Sequence, residues 1–537
     1  MAVGPLGDLT RSSLDLRWHL DPVAASQAGV SSHDGRLGRY GAASLAPHLA
    51  ALRALTAALE EAPTDSLDDE IDRTALLNDL RVTLARFELE RPQARNPEFW
   101  LSHLLNGLYV LLARRDRTPE HRARALAGRL EEIPPFLDEA RATLTDPVKV
   151  FCETGRMMIG GGIRLIREAG AAAELAAPEG ERLPAVISSA IAALEAFSAD
   201  LERWSDSASN RFALGEERFN FRLHYEHALR DTAPELWRYG HRLKEEVEAD
   251  LTRLARQMDG GRSWRDLVTR LRQDHPAAEE LVPAYASAMT RARQFVESRN
   301  LAPMPAGALD VVPTPEFLRP LIPFAAYDSP GAFSTDRTGW FYVTTPDAGL
   351  PASQQARMLG DHCRWEVSAT ALHEGYPGHH LQIMYAQAQP SFIRKIVATP
   401  LTLEGWALYC EELMAEQGFY ETREERLFQR VHLLWRALRV LLDVGLHTRG
   451  MTIEQGVEQL VNELGVDRAN AEAEVRRYCA WPAYQLCYAV GRRELLALRD
   501  DFQRARGTGA TIRAFHDAIL PYGGLPISLM RWGLGLA

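Results

Sequence analysis

The chain has 537 residues and a mass of 60.0 kDa, enough for two or three domains or one large helical body. Hydrophobic content of 46% and charged content of 25% are ordinary for a globular protein, and a net charge of -11 argues against a nucleic-acid binder, which would show a basic face. Five scattered cysteines (Cys152, Cys363, Cys410, Cys479, Cys487) form no Cys-x-x-Cys pair and read as reduced thiols, the first residues lack a basic stretch followed by a long apolar one, and no uncharged apolar run reads as long enough to cross a bilayer. The expectation is a cytoplasmic protein with neither a nucleic-acid nor a membrane partner.

In chain order, helical periodicity covers Ala42 to Glu61, Leu67 to Leu89, and Arg122 to Leu144 with an interruption at Pro134-Pro135. Gly160-Gly161-Gly162 lacks the Lys-Ser/Thr of a phosphate-binding loop and reads as a bend or a close-packing site. Helices are expected again over Leu183 to Arg203, Pro234 to Met258 and Pro283 to Glu297, and His224 and His227 read as solvated helix positions. At Leu301 the chain turns Pro-, Gly- and aromatic-rich, and Trp340 to Thr345 is the clearest strand. After Asp361 helices return. The expected fold class is mainly α: a large helical body with a small β element just before the metal helix. The expected division is a helical region, 1–300, and a metal-binding catalytic region, 301–537.

The chemistry concentrates in His373-Glu374-Gly375-Tyr376-Pro377-Gly378-His379-His380. A His-Glu pair followed closely by His is how many zinc hydrolases present two ligands and a general base. Here the second His comes six residues on, which in a regular helix turns it about 120° from the first. Pro377 cannot donate to the His373 carbonyl and Gly378 can adopt unusual angles, so a break is expected there that swings His379 back toward His373. His380 is the rival ligand, but in a straight helix it lies about 10 Å along the axis. The third ligand is expected from Thr402-Leu403-Glu404-Gly405-Trp406, with Thr402 as N-cap and Glu404 in the first turn; Glu411, Glu412 and Glu366 rank below it.

Glu374 is then the base, and Zn2+ the expected cofactor. Asp443 and His447 share one helical face, so the Asp could orient the ring as an oxyanion donor. Tyr484, Tyr488 and Arg492 follow i, i+4, i+8 on another helix that also carries Gln485. Tyr342 and Thr344 on the strand, with Arg492, are the substrate-binding candidates, the strand acting as an edge that pairs with an extended substrate. No Gly-x-Ser-x-Gly elbow and no Glu-x-x-His occurs, which weakens serine-hydrolase and di-iron readings.

These motifs resemble a bacterial family catalogued as domain of unknown function 885. The likeness rests on the His-Glu-x-x-Pro-Gly-His-His run and on Leu403-Glu404-Gly405-Trp406-Ala407, and it continues through Arg436 to His447, Pro482 to Gly491 and Phe515-His516-Asp517. The resemblance implies a gluzincin-type zinc metallopeptidase with a helical body similar to thimet oligopeptidase or carboxypeptidase Taq. It implies His373, His379 and Glu404 as ligands, Glu374 as base, and His447 and Tyr488 lining the cleft. The family often has Pro-Gly-Gln where this chain has Pro482-Ala483-Tyr484, which leaves the roles of Tyr484 and Gln485 open. The competing expectations are a metalloenzyme acting on a small non-peptide amide in a biosynthetic pathway, and a non-catalytic helical scaffold.

Overall fold

The computed structural model describes residues 5–174, 183–315, 319, 322 and 324–536. It is mainly helical with one three-stranded sheet. The chain divides into two compact units, one of residues 1–212, 315–321 and 330–336, the other of the remainder. The principal boundary therefore falls at 212, not at 300: the helices from 216 to 298 belong to the same unit as the His373–His380 run.

The first unit is a helical bundle of α1 (Pro5–Leu20), α2 (Ala42–Glu61), α3 (Leu67–Ala85), α4 (Pro97–Ala113), α5 (Pro119–Thr143), α6 (Lys149–Glu174) and α7 (Leu183–Ser207). Helix α5 continues without interruption through Pro134 and Pro135. The lost backbone bonds are tolerated because Leu130, Ile133, Phe136 and Leu137 bury the face around them. Nor does Gly160-Gly161-Gly162 interrupt α6. Gly162 instead lets Leu105 and Leu194 close on the helix, so the close-packing alternative holds. Helices α2 and α7 are long and apolar enough to cross a membrane by length and composition, although each run carries charged residues, Arg53 in α2 and Glu195 in α7. In this unit α2 packs on α1 and α3, and α7 on α5 and α6.

The second unit contains α8 (Glu216–Tyr225), α9 (Ala233–Met258), α10 (Leu281–Ser298), β1 (Leu309–Pro313), β2 (Ala325–Asp328), β3 (Gly339–Val343), α11 (Arg364–Glu374), α12 (His379–Ala388), α13 (Pro400–Glu416), α14 (Arg423–Thr448), α15 (Arg468–Ala480) and α16 (Cys487–Arg506). The sheet order is β1-β3-β2, with β1 parallel and β2 antiparallel to β3. Phe341 and Val343 pack with Tyr285 and Met289 of α10 and with Val367 and Ala371 of α11. The sheet thus backs α11, the helix that carries His373.

Helices α13 and α16 meet at Gly405 and Gly491. A Cβ on Gly405 would lie 2.5 Å from the Gly491 Cα, and one on Gly491 would strike the Leu401 carbonyl oxygen. Only paired glycines permit this approach.

Candidate metal centre

Helix α11 ends at Glu374 and α12 begins at His379. Between them the hydrogen bonds lengthen from four residues to six: Gly378 N–H donates to the Leu372 carbonyl at 3.0 Å, and Leu381 N–H to the Gly375 carbonyl at 3.4 Å. These bonds absorb the two residues that separate this spacing from His-Glu-x-x-His. A Cβ at Gly378 would collide with the Leu372 and His373 carbonyl oxygens, so the position requires glycine. The carbonyls opened by the break are then satisfied from α13, where Trp406 Nε1 donates to Pro377 at 2.8 Å and to Gly378 at 3.2 Å. In Glu404-Gly405-Trp406 the glycine thus brings α16 close and the tryptophan fastens α13 to the break. Helix α13 starts earlier than expected. Thr399 is its N-cap, Thr402 is buried and donates to the Leu525 carbonyl, and Glu404 stands in the second turn.

One ligand atom each from His373, His379 and Glu404 lies within 4.8 Å of the others. His379 Nε2 is 3.3 Å and His373 Nε2 3.8 Å from Glu404 Oε2. Ligands about 2.1 Å from a tetrahedral zinc stand roughly 3.4 Å apart, so the two imidazoles and the carboxylate fit such an ion. His380 faces elsewhere: its Nδ1 is 3.0 Å from the Tyr327 hydroxyl of β2, and burial pushes it down to about 4.

The ligands are held from behind. His373 Nδ1 is 2.8 Å from Glu411 Oε1, and Glu411 is 1% exposed. Tyr484 donates to Glu404 Oε1 at 2.7 Å, leaving Oε2 to the histidines. Carboxylate and hydroxyl partners of this kind fix ligand orientation and tautomer. Burial alone would lower His373, but Glu404 and Glu411 outweigh it and hold the ring up at about 9. Burial likewise opposes the charge on Glu404, and the two histidines outweigh it and keep that carboxyl well below its usual range. The pocket therefore concentrates negative charge that a cation can neutralise. Glu374 is half-buried and has no hydrogen-bond or ion-pair partner among the described residues.

Of the remaining candidates, Tyr488 lies beside Tyr484, ring centroids 6.3 Å apart, and its hydroxyl makes no hydrogen bond among the described residues. His447 is not placed for catalysis. It is 1% exposed, accepts from Leu214 N–H at Nδ1 and reaches the Tyr478 carbonyl with Nε2, so both ring nitrogens are spent on backbone. Asp443 does not orient it. Its two oxygens accept from Ala483 and Leu486 N–H, at 2.9 and 3.1 Å. Tyr484 and Gln485 consequently sit in a turn before α16, not on that helix. Arg492 pairs with Glu412 at 3.1 Å rather than facing the site. Tyr342 and Thr344 cannot act as an edge: β3 is the central strand, and the Thr344 hydroxyl is bound to Thr314 and the Ile322 carbonyl.

Three contributors were given other roles in the sequence, Glu411 that of a lesser ligand candidate. Glu411 carried a signal, standing seven residues after Glu404 and hence on the same helix face. Asp443 was noted with another partner. His227 is buried, not solvated, and joins Thr399 to the Ala483 carbonyl at 2.6 and 2.9 Å, tying the start of α13 to the Tyr484 turn. No local signal in the sequence marks it.

Comparison with known proteins supplies the fold and the family. A solved structure from Shewanella oneidensis, described as "a putative lipoprotein of unknown function", superposes with a TM-score of 0.80 at 21% identity and covers 98% of this chain and 99% of its own. One from Colwellia psychrerythraea, described as a "putative lipoprotein", superposes at 0.84 with 17% identity and covers 99% of each chain. These descriptions overturn the expectation of a cytoplasmic protein. That expectation leaned on sparse cysteines, yet all five thiols are buried, and buried thiols report little about the redox compartment. No curated protein matches the chain. The family described as "Bacterial protein of unknown function (DUF885)" matches residues 22–533, and the chain belongs to it.

Proposed function

We propose that the chain is a zinc-dependent hydrolase of peptide or related amide bonds, of gluzincin type, with His373, His379 and Glu404 as ligands. The observation that carries this reading is the convergence of those three side chains from α11, α12 and α13 beside Glu374, which has no partner among the described residues. A purely structural site has no use for an adjacent free carboxylate. A zinc ion held there would lower the pKa of a water and polarise the amide carbonyl. Glu374 takes the proton of the attacking water and returns it to the departing nitrogen. Tyr488 offers its O–H to the developing oxyanion. Glu411 and Tyr484 hold His373 and Glu404 in place throughout.

The test is a library of short peptides and small acyl amides with metal-analysed protein. Wild type cleaves members of it. Glu374→Gln retains the metal but loses about 10²–10⁴-fold in kcat, the range of a general base. Wild type that binds no metal, or a Glu374→Gln variant as active as wild type, sinks the reading.

A further inference from the structure

Beside the acidic ligand cluster stands a basic one. Arg436 and Arg439 of α14 lie over the ring of Tyr488, at 5.6 and 4.9 Å. Arg477 of α15 lies 5.6 Å from the Trp481 ring. Arg439 and Arg477 share one carboxylate, Glu474, at 3.1 and 2.7 Å. Arg436 pairs with no carboxylate among the described residues. Its one hydrogen bond runs from Nη1 to the His432 carbonyl at 3.4 Å, and its Nε is buried without a partner. A guanidinium carries five donors in a planar fork matched to a carboxylate, and here most of the fork is unspent. The nearby Glu411 spends Oε1 on His373, and its Oε2, though within the reach of the Arg436 charge, makes no hydrogen bond to it among the described residues.

The location gives the unspent fork its meaning. From Arg436 the chain of contacts leads to Tyr488, then to Tyr484 at 6.3 Å between rings, then to Glu404 at 2.7 Å. Trp481, 43% exposed, stands 5.3 Å from the Tyr484 ring. A row of aromatic rings thus runs from the surface to the metal ligands with a cation beside it. We propose that Arg436 binds a free carboxylate on the substrate, and that the bond cleaved belongs to an acyl peptide or acyl amino acid with an ionised C-terminus. Arg492, the arginine the sequence favours, is spent on Glu412. The inference rests on the hydrolase reading for its substrate, but the anion site is testable without turnover.

The experiment is calorimetric titration of metal-stripped, full-length protein with N-acetyl-L-phenylalanine and, separately, its carboxamide. Charge-assisted hydrogen bonds of this kind correspond to roughly 10–100-fold in affinity, so the acid binds at least about tenfold tighter than the amide. Arg436→Gln abolishes the preference, Arg436→Lys keeps the charge but loses the fork and retains only part of it, and Arg492→Gln leaves it intact. Equal binding of acid and amide, no binding of either, or the same preference in Arg436→Gln as in wild type overturns the proposal. Should Arg436→Gln not fold, Arg436→Lys decides: an undiminished preference overturns the site. Absence of hydrolysis with the acid preference present would sink the hydrolase reading and leave the anion site standing.

Discussion

Single atoms separate His379 from His380. They are neighbours in sequence, yet one stands 3.3 Å from Glu404 and the other turns to Tyr327. His379→Ala should therefore lose metal outright, while His380→Ala should keep full stoichiometry. Glu411→Gln occupies the middle: the ligand remains but its orienting partner is weakened, so affinity falls about 10–100-fold, as outer partners of metal ligands generally show. Competition with a chromophoric chelator reads all three. If His380→Ala loses the metal and His379→Ala does not, the reading of the break is wrong. The side chains behind the ligands separate in the same way. Tyr484 serves Glu404 directly, whereas Gln485, next to it, is fully buried with neither amide atom hydrogen-bonded among the described residues. Nothing in the structure explains its polarity.

Elements place these residues, and the glycines show how closely. Gly405→Ala or Gly491→Ala forces α13 and α16 apart at the turn that carries Glu404. Overpacking of a tight contact costs about 1–3 kcal/mol or more, and here it also moves a ligand, so both the melting temperature and metal affinity should fall. Gly160→Ala in α6 is the control: nothing lies within 4 Å of its Cβ position, and removing a helical glycine should stabilise by about 0.5–1 kcal/mol. A scan in which all three variants behave alike would contradict this account of the α13–α16 contact. The same contrast shows what was legible beforehand. The break at Pro377-Gly378 could be read because proline and glycine act locally, and helices such as Ala42–Glu61 declared themselves by periodicity. Pro134-Pro135 misled because burial of α5 outweighs two missing backbone bonds. The central position of β3 was hidden because pairing on both sides depends on β1 and β2, which are remote in sequence and weakly patterned. Asp443 and His447 fitted a pair at helical spacing, but tertiary neighbours claimed each of them separately.

For the whole molecule, charge and metal act together on stability. Asp443 is pushed up to about 7 by burial, against the backbone N–H bonds it accepts. His373, which burial alone would lower, is held at about 9 by Glu404 and Glu411. A folded-state pKa raised above the unfolded value gives stability that is complete below the unfolded value and lost as pH climbs through the folded one. Asp443 therefore weakens the fold between about 4 and 7, and His373 between about 6.5 and 9. Glu474 has the opposite sign. Burial opposes its charge, but Arg439 and Arg477 outweigh it and hold it down at about 2, so its contribution is lost only as pH falls below its unfolded value toward 2. Metal-stripped protein should accordingly melt highest in mildly acid solution and lose melting temperature from pH 6.5 to 9. Added zinc should reverse this trend, since a cation competes with the proton on His373 and binds more tightly as the pH rises. The zinc-induced rise in melting temperature should thus widen across the same interval and vanish at every pH in His379→Ala. A zinc effect that narrows with rising pH, or that persists in His379→Ala, would place the ion somewhere other than among His373, His379 and Glu404.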